Sequence, residues 1–307
     1  MADENENEND ALQRILQAVP GWDIPPDEVH PLEGGITNLN YFVRRGEARF
    51  VLRVGGVGTN LLGIERNREY AISRIAADLG IGAEVYAFLP DHAAMVTHFV
   101  DGHGVSAERA AQHDVIRRIM STVRRYHDGP TFPGTFSVFA VLRSYERLAL
   151  ERGVAFPPSA AVALDHAQAV ERALASATDS VPCHNDLLAA NFLEDGDTIR
   201  LLDWEYAGMG DRFFDLGNFA ANQGLDSAGC QALADAYFGK VEPHHLAHLH
   251  LMRIMSNLRE SFWGFLQSGI SSLDFDFLHY AHTHLERVMD DVTGPRIADW
   301  QAEAQAP

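Results

Sequence analysis

The spacing of apolar and polar residues changes along the first hundred residues, and each change predicts a different element. Residues 11–19, ALQRILQAV, place apolar side chains at helical spacing and predict a short helix. After a segment rich in proline and glycine, ITNLNYFVRRGEARFVLRV predicts a hairpin with strands at Tyr41–Arg44 and Arg49–Val54. Residues 64–79 predict a second helix, which Gly80 would end. EVYAFLP and AAMVTHFV predict two more strands, so this part of the chain is expected to be strand-rich.

From about residue 105 the apolar positions recur at helical spacing, with one interruption. NFLEDGDTIRLL, residues 191–202, predicts a hairpin on an Asp195-Gly196 turn. The pattern predicts an α+β fold with a small β-rich lobe followed by a larger, mostly helical lobe. The predicted helices of the second lobe are 107–127, 139–152, 159–177, 226–238 and 243–267. The expected divisions are a disordered acidic tail at 1–10, an N-terminal lobe at 11–101, a C-terminal lobe at 102–293 and a tail at 294–307.

The composition argues against several classes of protein. Apolar residues make up 46% of the 307, enough for a sizeable core, but no run of about 18 apolar residues is present that could span a membrane. The formal charge of −19 argues against nucleic acid as a partner and permits a cationic substrate. The start, MADENENEND, lacks the apolar stretch of a secretory signal, so we expect a cytoplasmic protein. Cys183 and Cys230 are expected to be free thiols. Both a monomer and an oligomer are compatible with the sequence.

The stretch HNDLLAANF and the Asp after the following hairpin carry the strongest chemical signal. Phosphoryl transfer from ATP to an alcohol needs a carboxylate beside the hydroxyl, hard oxygen ligands for Mg²⁺ and a cation at the phosphates. Asp186 and Asn191 would put a base and a metal ligand on one loop, and the hairpin would return Asp203 to the same place. This spacing follows the protein-kinase pattern. Glu205 would point to the same side and contact the metal directly or support its ligands, whereas His184 is expected to brace the loop.

The region 182–222, with CHNDLLAANF and LLDWEYAGMGDRFFDLGNFA, resembles the choline/ethanolamine kinase branch of the aminoglycoside-phosphotransferase-like kinases. The resemblance extends over about residues 32–280 and implies a two-lobed protein-kinase-like fold that uses ATP and Mg²⁺. The roles that it implies are a base at Asp186, metal ligands at Asn191 and Asp203, and loop-bracing residues at Asp215 and Asn218.

The N-terminal lobe is expected to hold the nucleotide. LEGGITNLNYFV places two glycines before a strand, where backbone amides can approach phosphate closely. Arg53 lies where kinases place the lysine that holds the α- and β-phosphates, and the resembling family tolerates arginine there. Glu69 is expected to fix Arg53, and a local pair of Glu69 with Arg66 or Arg68 is the alternative. The predicted nucleotide-binding residues are Gly34, Gly35, Thr37, Asn38, Arg53, Glu69, His98 and Val100, the last two through their backbone at the inter-lobe connection.

Aromatic residues late in the chain match the family's pocket for a quaternary ammonium group. In such pockets the cation–π attraction reaches about 2 kcal/mol when the charge is desolvated. The matching positions are Tyr206, directly after the DWE run, and Trp263, Phe275 and Tyr280 in ESFWGFLQSGISSLDFDFLHYA. The expected partner is therefore a small cationic alcohol.

One position departs from the family's pattern. Choline kinases of eukaryotes carry a Glu a few residues beyond FDIGN, whereas this chain has the neutral Asn222. Charge compensation would then rest on Asp186, with Glu205 or Asp226. Ethanolamine is an alternative acceptor, because Asn222 offers its ammonium a hydrogen-bond acceptor.

Two other functions stay open. An aminoglycoside kinase shares the fold, but such enzymes usually end in a carboxylate-rich region, and this chain ends QAEAQAP. A catalytically inactive, nucleotide-binding regulatory module is the alternative from another class. The joint presence of Asp186, Asn191 and Asp203 argues against it.

Overall fold

The computed structural model describes residues 2–32, 38–56, 58–175, 180–271 and 273–305. Its strands are β1 (Glu28–Leu32), β2 (Asn38–Arg45), β3 (Ala48–Gly55), β4 (Val85–Leu89), β5 (Ala94–His98), β6 (His103–Gly104), β7 (Ser180–Cys183), β8 (Phe192–Asp195), β9 (Thr198–Leu201) and β10 (Gly208–Asp211). Its helices are α1 (Ala2–Ala18), α2 (Arg66–Asp78), α3 (Ala107–Ala110), α4 (His113–His127), α5 (Val138–Glu151), α6 (Pro158–Ala173), α7 (Arg212–Asn222), α8 (Ser227–Phe238), α9 (Pro243–Ile270), α10 (Phe277–Val292) and α11 (Ile297–Glu303).

The N-terminal lobe is built on a five-stranded antiparallel sheet in the order β1-β2-β3-β5-β4. The predicted hairpin is present as β2 and β3. Side chains alternate between the two faces of a strand. Phe50 and Leu52 of β3 therefore pack on one face with Ile15 and Leu16 of α1, whereas Arg53 projects from the other face. That face turns toward the second lobe, because Arg53 contacts residues of that lobe.

Both chain ends differ from the expected tails. Helix α1 begins at Ala2. The acidic segment 1–10, which was expected to be disordered, is therefore helical from its second residue onward. In the segment 294–307, α11 packs against α9, where Trp300 stacks on His250 with ring centroids 4.6 Å apart.

The C-terminal lobe is helical and surrounds α9, which packs against α5, α7, α10 and α11. The predicted helices at 139–152, 226–238 and 243–267 are confirmed within a few residues, whereas 159–177 ends at Ala173. The segment 107–127 forms two helices, α3 and α4, separated at Ala111 and Gln112. Helices α7 and α10 were not predicted. Most of α7 is buried, so it carries no polar stripe that would reveal a helical period.

Three short strand pairs set the frame for the second lobe. Strands β8 and β9 form the predicted hairpin, but its turn is Gly196-Asp197, because Asp195 pairs with Thr198. Gly196 has φ of 59°, which glycine adopts without a steric penalty. Strand β6 joins β8, and β10 pairs with β7.

Within the described part of the chain, no helix combines the length and apolar composition needed to cross a bilayer. The predicted α+β, two-lobed architecture is confirmed.

Candidate active site

The loop after β7 holds Asp186, and an α7 carboxylate fixes its backbone. Asp215 accepts hydrogen bonds from the amides of His184 at 2.9 Å and Asn185 at 2.6 Å. It also accepts from His127 Nε2 at 3.0 Å and the Tyr126 hydroxyl at 2.6 Å. Burial by itself would raise the pKa of Asp215, but the hydrogen bonds from His127 and Tyr126 hold it below its ordinary value. Asp215 is thus an ionised, fully buried brace, in agreement with the role that the resemblance implied.

A second set of hydrogen bonds fixes the other end of this loop. Asn218 accepts from the amide of Leu187 at 2.5 Å and donates to Ser256 of α9 at 3.0 Å. Asn191 donates from Nδ2 to the carbonyl of Asp186 at 2.9 Å. The loop is therefore held from α7, from α9 and from within, so the position of Asp186 is set before a substrate binds.

His184 braces the loop and does not titrate near neutrality. Its Nε2 lies 2.9 Å from the carbonyl of Leu202, and its Nδ1 accepts from the amide of Asp186 at 3.2 Å. These partners require the neutral tautomer with the proton on Nε2. Burial lowers the pKa of His184 to about 4, with Arg259 and Arg53 acting in the same direction. The sequence prediction of a structural role agrees with this geometry.

The Asp186 carboxylate is held by an arginine that the sequence prediction missed. Arg259 of α9 donates from Nη2 to Asp186 Oδ1 at 2.9 Å and from Nη1 to the carbonyl of Asn185 at 2.7 Å. Burial raises the pKa of Asp186 to about 7, and the negative charges of Glu260 and Asp203 act in the same direction. Arg259 opposes this shift. Asp186 is therefore a carboxylate of raised basicity held in a fixed position.

Asp203 meets a carboxylate cluster at the junction of the lobes. Arg53 donates from Nη2 to Asp203 at 2.5 Å and to Glu205 at 2.7 Å, and its Nε lies 3.3 Å from Glu69. Carboxylate oxygens of Glu69, Asp203 and Glu205 all lie within 4.8 Å of one another. The predicted pairing of Arg53 with Glu69 is present, and so is the alternative, since Arg66 donates to Glu69 at 2.7 Å.

The backbone is strained at one residue in the loop after β7 and at one residue after β9. Asn185 and Asp203 both have φ of 67°, in the left-handed region that non-glycine residues seldom adopt. Asn and Asp tolerate this region better than other residues do. Such strain persists only where the surroundings over-determine the conformation, as the hydrogen bonds around Asn185 do here. Asn185 directly precedes Asp186, and Asp203 is itself a metal-ligand candidate.

The remaining nucleotide-binding predictions have mixed outcomes. Gly34, Gly35 and Thr37 lie outside the described residues. Asn38 donates to Glu205 at 2.9 Å and accepts from Arg66 at 2.8 Å, so it belongs to the carboxylate cluster. The His98 ring packs against Phe50 and Tyr86, away from the face that carries Arg53. The His98 amide already donates to the carbonyl of Glu84 at 2.8 Å, so a hinge contact at His98 would fall to its carbonyl. Val100 lies half-buried in the connection between the lobes.

Three of the predicted aromatic residues come together between α9 and α10. The ring of Tyr280 lies 5.6 Å from Trp263 and 6.0 Å from Phe275, centroid to centroid, at steep angles. Its hydroxyl donates to Glu260 Oε2 at 2.8 Å. Phe275 is 44% exposed, so the cluster opens to solvent on one side. We call Trp263, Phe275 and Tyr280 the aromatic cluster.

The two other substrate-binding predictions lie nearer the catalytic loop. Tyr206 is buried beneath Arg259, whose guanidinium carbon is 5.3 Å from the ring centroid. Asn222 ends α7, one turn beyond Asn218, and its Nδ2 has no hydrogen-bond partner among the described residues. No contact in the described structure joins Asn222 to the aromatic cluster, so its part in substrate binding stays a prediction.

Two of the residues expected to compensate the acceptor's charge have other partners in the structure. Asp226 caps α8 by accepting from the amide of Gly229 at 2.8 Å, and Glu205 is bound to Arg53. Glu260 is an acidic residue that contacts the aromatic cluster through Tyr280, and it accepts from Arg259 Nε at 3.0 Å. Sequence reasoning overlooked Arg259 and Glu260. Their signal was two adjacent charges in the middle of α9, a long and largely buried helix, where charges seldom occur unless they are paired.

Comparisons with known proteins show which sequences and structures this chain resembles. The sequence profile of the phosphotransferase enzyme family matches residues 28–249. Protein LicA of Haemophilus influenzae is 26% identical over 242 residues, which cover 75% of this chain and 70% of that protein. Ethanolamine kinase 2 of Rattus norvegicus is 26% identical over 308 residues, covering 88% of this chain and 78% of that protein.

Among solved structures, a choline/ethanolamine kinase family protein from Mesorhizobium loti matches with a TM-score of 0.82 at 28% identity. The match covers 97% of this chain and 99% of that chain. The resemblance that the motifs indicated is therefore confirmed, and so is the protein-kinase-like fold that it implied.

Proposed function

The chain belongs to the phosphotransferase enzyme family, and we propose that it transfers the γ-phosphoryl group of ATP to the hydroxyl of choline or a related amino alcohol. One observation carries this proposal. The aromatic cluster and Asp186 are linked through α9, because Glu260 bonds to Tyr280 and Arg259 bonds to both Glu260 and Asp186. An acceptor whose cationic group lies against the rings can thus present its hydroxyl to a buried carboxylate.

Asp186 supplies the base for this reaction. Its carboxylate orients the hydroxyl and takes its proton as the acceptor oxygen bonds to the γ-phosphorus. The bond from that phosphorus to the bridging oxygen breaks, and ADP leaves with the electron pair. A raised pKa favours this role, because a carboxylate with pKa about 7 is a stronger base than an ordinary one and is still largely ionised above neutrality.

Arg53 is the cation that we assign to the phosphates. Its guanidinium projects from the sheet face opposite α1 and is only 14% exposed, so it acts where water screens charge poorly. Glu69 of α2 fixes its Nε side, as the corresponding ion pair does in kinases. Asn38 and Arg66 hold Glu205 next to it.

The residues at the lobe junction fit Mg²⁺. The carboxylate oxygens of Glu69, Asp203 and Glu205 lie within 4.8 Å of one another among the described residues, and hard oxygen donors suit this ion. We assign Asp203 and Asn191 as its ligands, with Glu205 as a direct or supporting one. Asn191 lies close to Asp203, because its carbonyl accepts from the amide of Leu202 at 2.9 Å. When bound, Mg²⁺ neutralises negative charge on the phosphates.

Ethanolamine is the second candidate acceptor. Its ammonium protons need hydrogen-bond acceptors, and Glu260 at the aromatic cluster offers one, as the Asn222 carbonyl oxygen would. An aminoglycoside carries several amines, whereas Glu260 is the carboxylate that bonds directly to an aromatic residue of the cluster through its side chain. An inactive regulatory module is disfavoured, because Asp186, Asn191 and Asp203 meet in one place.

The test is an ADP-release assay with choline, ethanolamine and aminoglycosides as acceptors. Asp186→Asn should lower kcat at least about 100-fold, because it removes the base and keeps the shape. Asp197→Asn, in the exposed turn of the β8–β9 hairpin, is the matched control and should leave the rate unchanged. Turnover of another hydroxyl compound with none of any amino alcohol would overturn the substrate assignment, and full activity of Asp186→Asn would overturn the mechanism.

A further inference from the structure

The negative charge at the acceptor end of the site comes from α9. Glu260 and Trp263 are three positions apart on this helix, so their side chains project from the same face. The Glu260 carboxylate accepts from the Tyr280 hydroxyl at 2.8 Å, which places it at the base of the aromatic cluster. At the end of α7, where eukaryotic choline kinases have a Glu, Asn222 carries no charge.

We propose that Glu260 is the carboxylate that recognises the positive charge of the acceptor, and that Arg259 fixes the position of Glu260 relative to Asp186. This inference rests on the proposed function. Arg259 Nη2 donates to Asp186 Oδ1 at 2.9 Å and also to Glu260, and Arg259 Nε donates to Glu260 at 3.0 Å. One guanidinium therefore lies between the carboxylate at the reacting hydroxyl and the carboxylate at the aromatic cluster.

The charges of this group suit a monocation. With Asp186 in the ionised form that the reaction needs, Asp186, Glu260 and Arg259 together carry one net negative charge. Burial by itself would raise the pKa of Glu260, but the adjacent Arg259 holds it below its ordinary value, so the carboxylate is ionised at neutral pH. An acceptor with one positive charge neutralises the group, whereas an uncharged acceptor leaves it unbalanced. Since a quaternary ammonium has no N–H group, the attraction acts through space and through the ring faces.

The experiment compares choline with its uncharged isostere 3,3-dimethyl-1-butanol, in which carbon replaces nitrogen. The ratio of kcat/KM for the two alcohols is measured by ADP release for the wild type, Glu260→Gln and Glu260→Asp. A ratio cancels any change that affects both acceptors equally, including altered packing around Arg259. Glu286→Gln on the exposed face of α10 is the control for the loss of one negative charge. Thermal melting shows whether each variant is folded.

We expect Glu260→Gln to lower the preference for choline over the isostere roughly tenfold, which corresponds to about 1.4 kcal/mol. Glu260→Asp should keep most of the preference because it keeps the charge, and it decides the matter if Glu260→Gln does not fold. Glu286→Gln should keep the wild-type ratio. An unchanged ratio in Glu260→Gln, even with lower rates for both alcohols, would overturn the inference alone. Absence of choline and ethanolamine turnover in the wild type would overturn the proposed function and this inference with it.

Discussion

Arg53 of β3 donates from Nη2 to Oδ1 of Asp203 at 2.5 Å, although the two residues lie in different lobes and 150 positions apart. The same nitrogen donates to Glu205 at 2.7 Å. In the proposed site this arginine would face the phosphates while Asp203 would hold Mg²⁺. The nucleotide and the metal are therefore expected to loosen a contact that joins the two lobes in their absence.

The first prediction concerns the loss of Arg53. Arg53→Ala removes the guanidinium that contacts Glu69, Asp203 and Glu205, and removing one partner of a buried ion pair costs about 3–5 kcal/mol of unfolding free energy. Mg²⁺ should recover part of this loss by binding to the carboxylates that Arg53 contacted. Thermal melting of wild type and variant with and without Mg²⁺ is the measurement. A variant whose melting temperature responds to Mg²⁺ no more than that of the wild type would contradict the metal assignment.

The second prediction concerns the length of the acceptor. Asp186 and Glu260 each accept a hydrogen bond from Arg259 Nη2, so the two carboxylates are only one guanidinium nitrogen apart. Trimethylammonium alcohols with two carbons between nitrogen and oxygen should therefore exceed those with three or four by roughly tenfold in kcat/KM, since a small misplacement of the reacting atom is costly. The ADP-release assay measures this series. Equal rates along it would show that the two carboxylates do not set the spacing.

The third prediction concerns the contact between α7 and α9. A Cβ added at Gly217 would lie 2.5 Å from the backbone nitrogen of Arg253 and 2.5 Å from the carbonyl carbon of Met252. Gly217→Ala should therefore destabilise the protein by about 1–3 kcal/mol despite the better helix propensity of alanine. Since α7 braces the Asp186 loop, kcat should fall as well. In the control Gly104→Ala, an added Cβ meets nothing within 4 Å. Urea unfolding compares the two, and equal stability of both variants would contradict the close packing.

The fourth prediction concerns stability at acidic pH. Burial lowers the pKa of His250 to about 4, and the charges of Arg253 and Arg296 act in the same direction. Since the unfolded histidine takes up a proton near pH 6.5, its contribution is complete above that pH and is lost as the pH falls toward 4. His250→Phe keeps the stack on Trp300 and removes the titration. Its unfolding free energy should fall between pH 7 and pH 5 by about 1–2 kcal/mol less than that of the wild type.

Urea unfolding at the two pH values gives this difference. His184 and His284, whose pKa values burial also lowers to about 4, remain in the variant, so it should still lose some stability in acid. Parallel curves for wild type and variant would show that His250 is not kept neutral by the fold.

The order of elements and the catalytic loop could be predicted because their signals are local in sequence. Asp186, Asn191 and Asp203 are separated by one loop and one hairpin, so their spacing alone indicated that they meet. Helix α7 escaped prediction because its buried surface leaves no polar stripe, although its Asp215 and Asn218 hold that loop in place. A side chain braces a loop only if backbone amides of that loop face it in the folded protein. The sequence pattern gives no information about which distant amides these are.

The sequence by itself indicated the candidate chemistry: Asp186 as the base, Asn191 and Asp203 as metal ligands at kinase-like spacing, and Arg53 as the cation on a strand of the other lobe. The tertiary structure alone decided what surrounds the base. Arg259 reaches Asp186 from 73 positions away, and it does so only because α9 runs beneath the catalytic loop. Glu260 becomes a candidate for charge recognition because α10 folds back and places Tyr280 against it. Both facts depend on helix packing, which is fixed by contacts between distant segments rather than by the residues on either side.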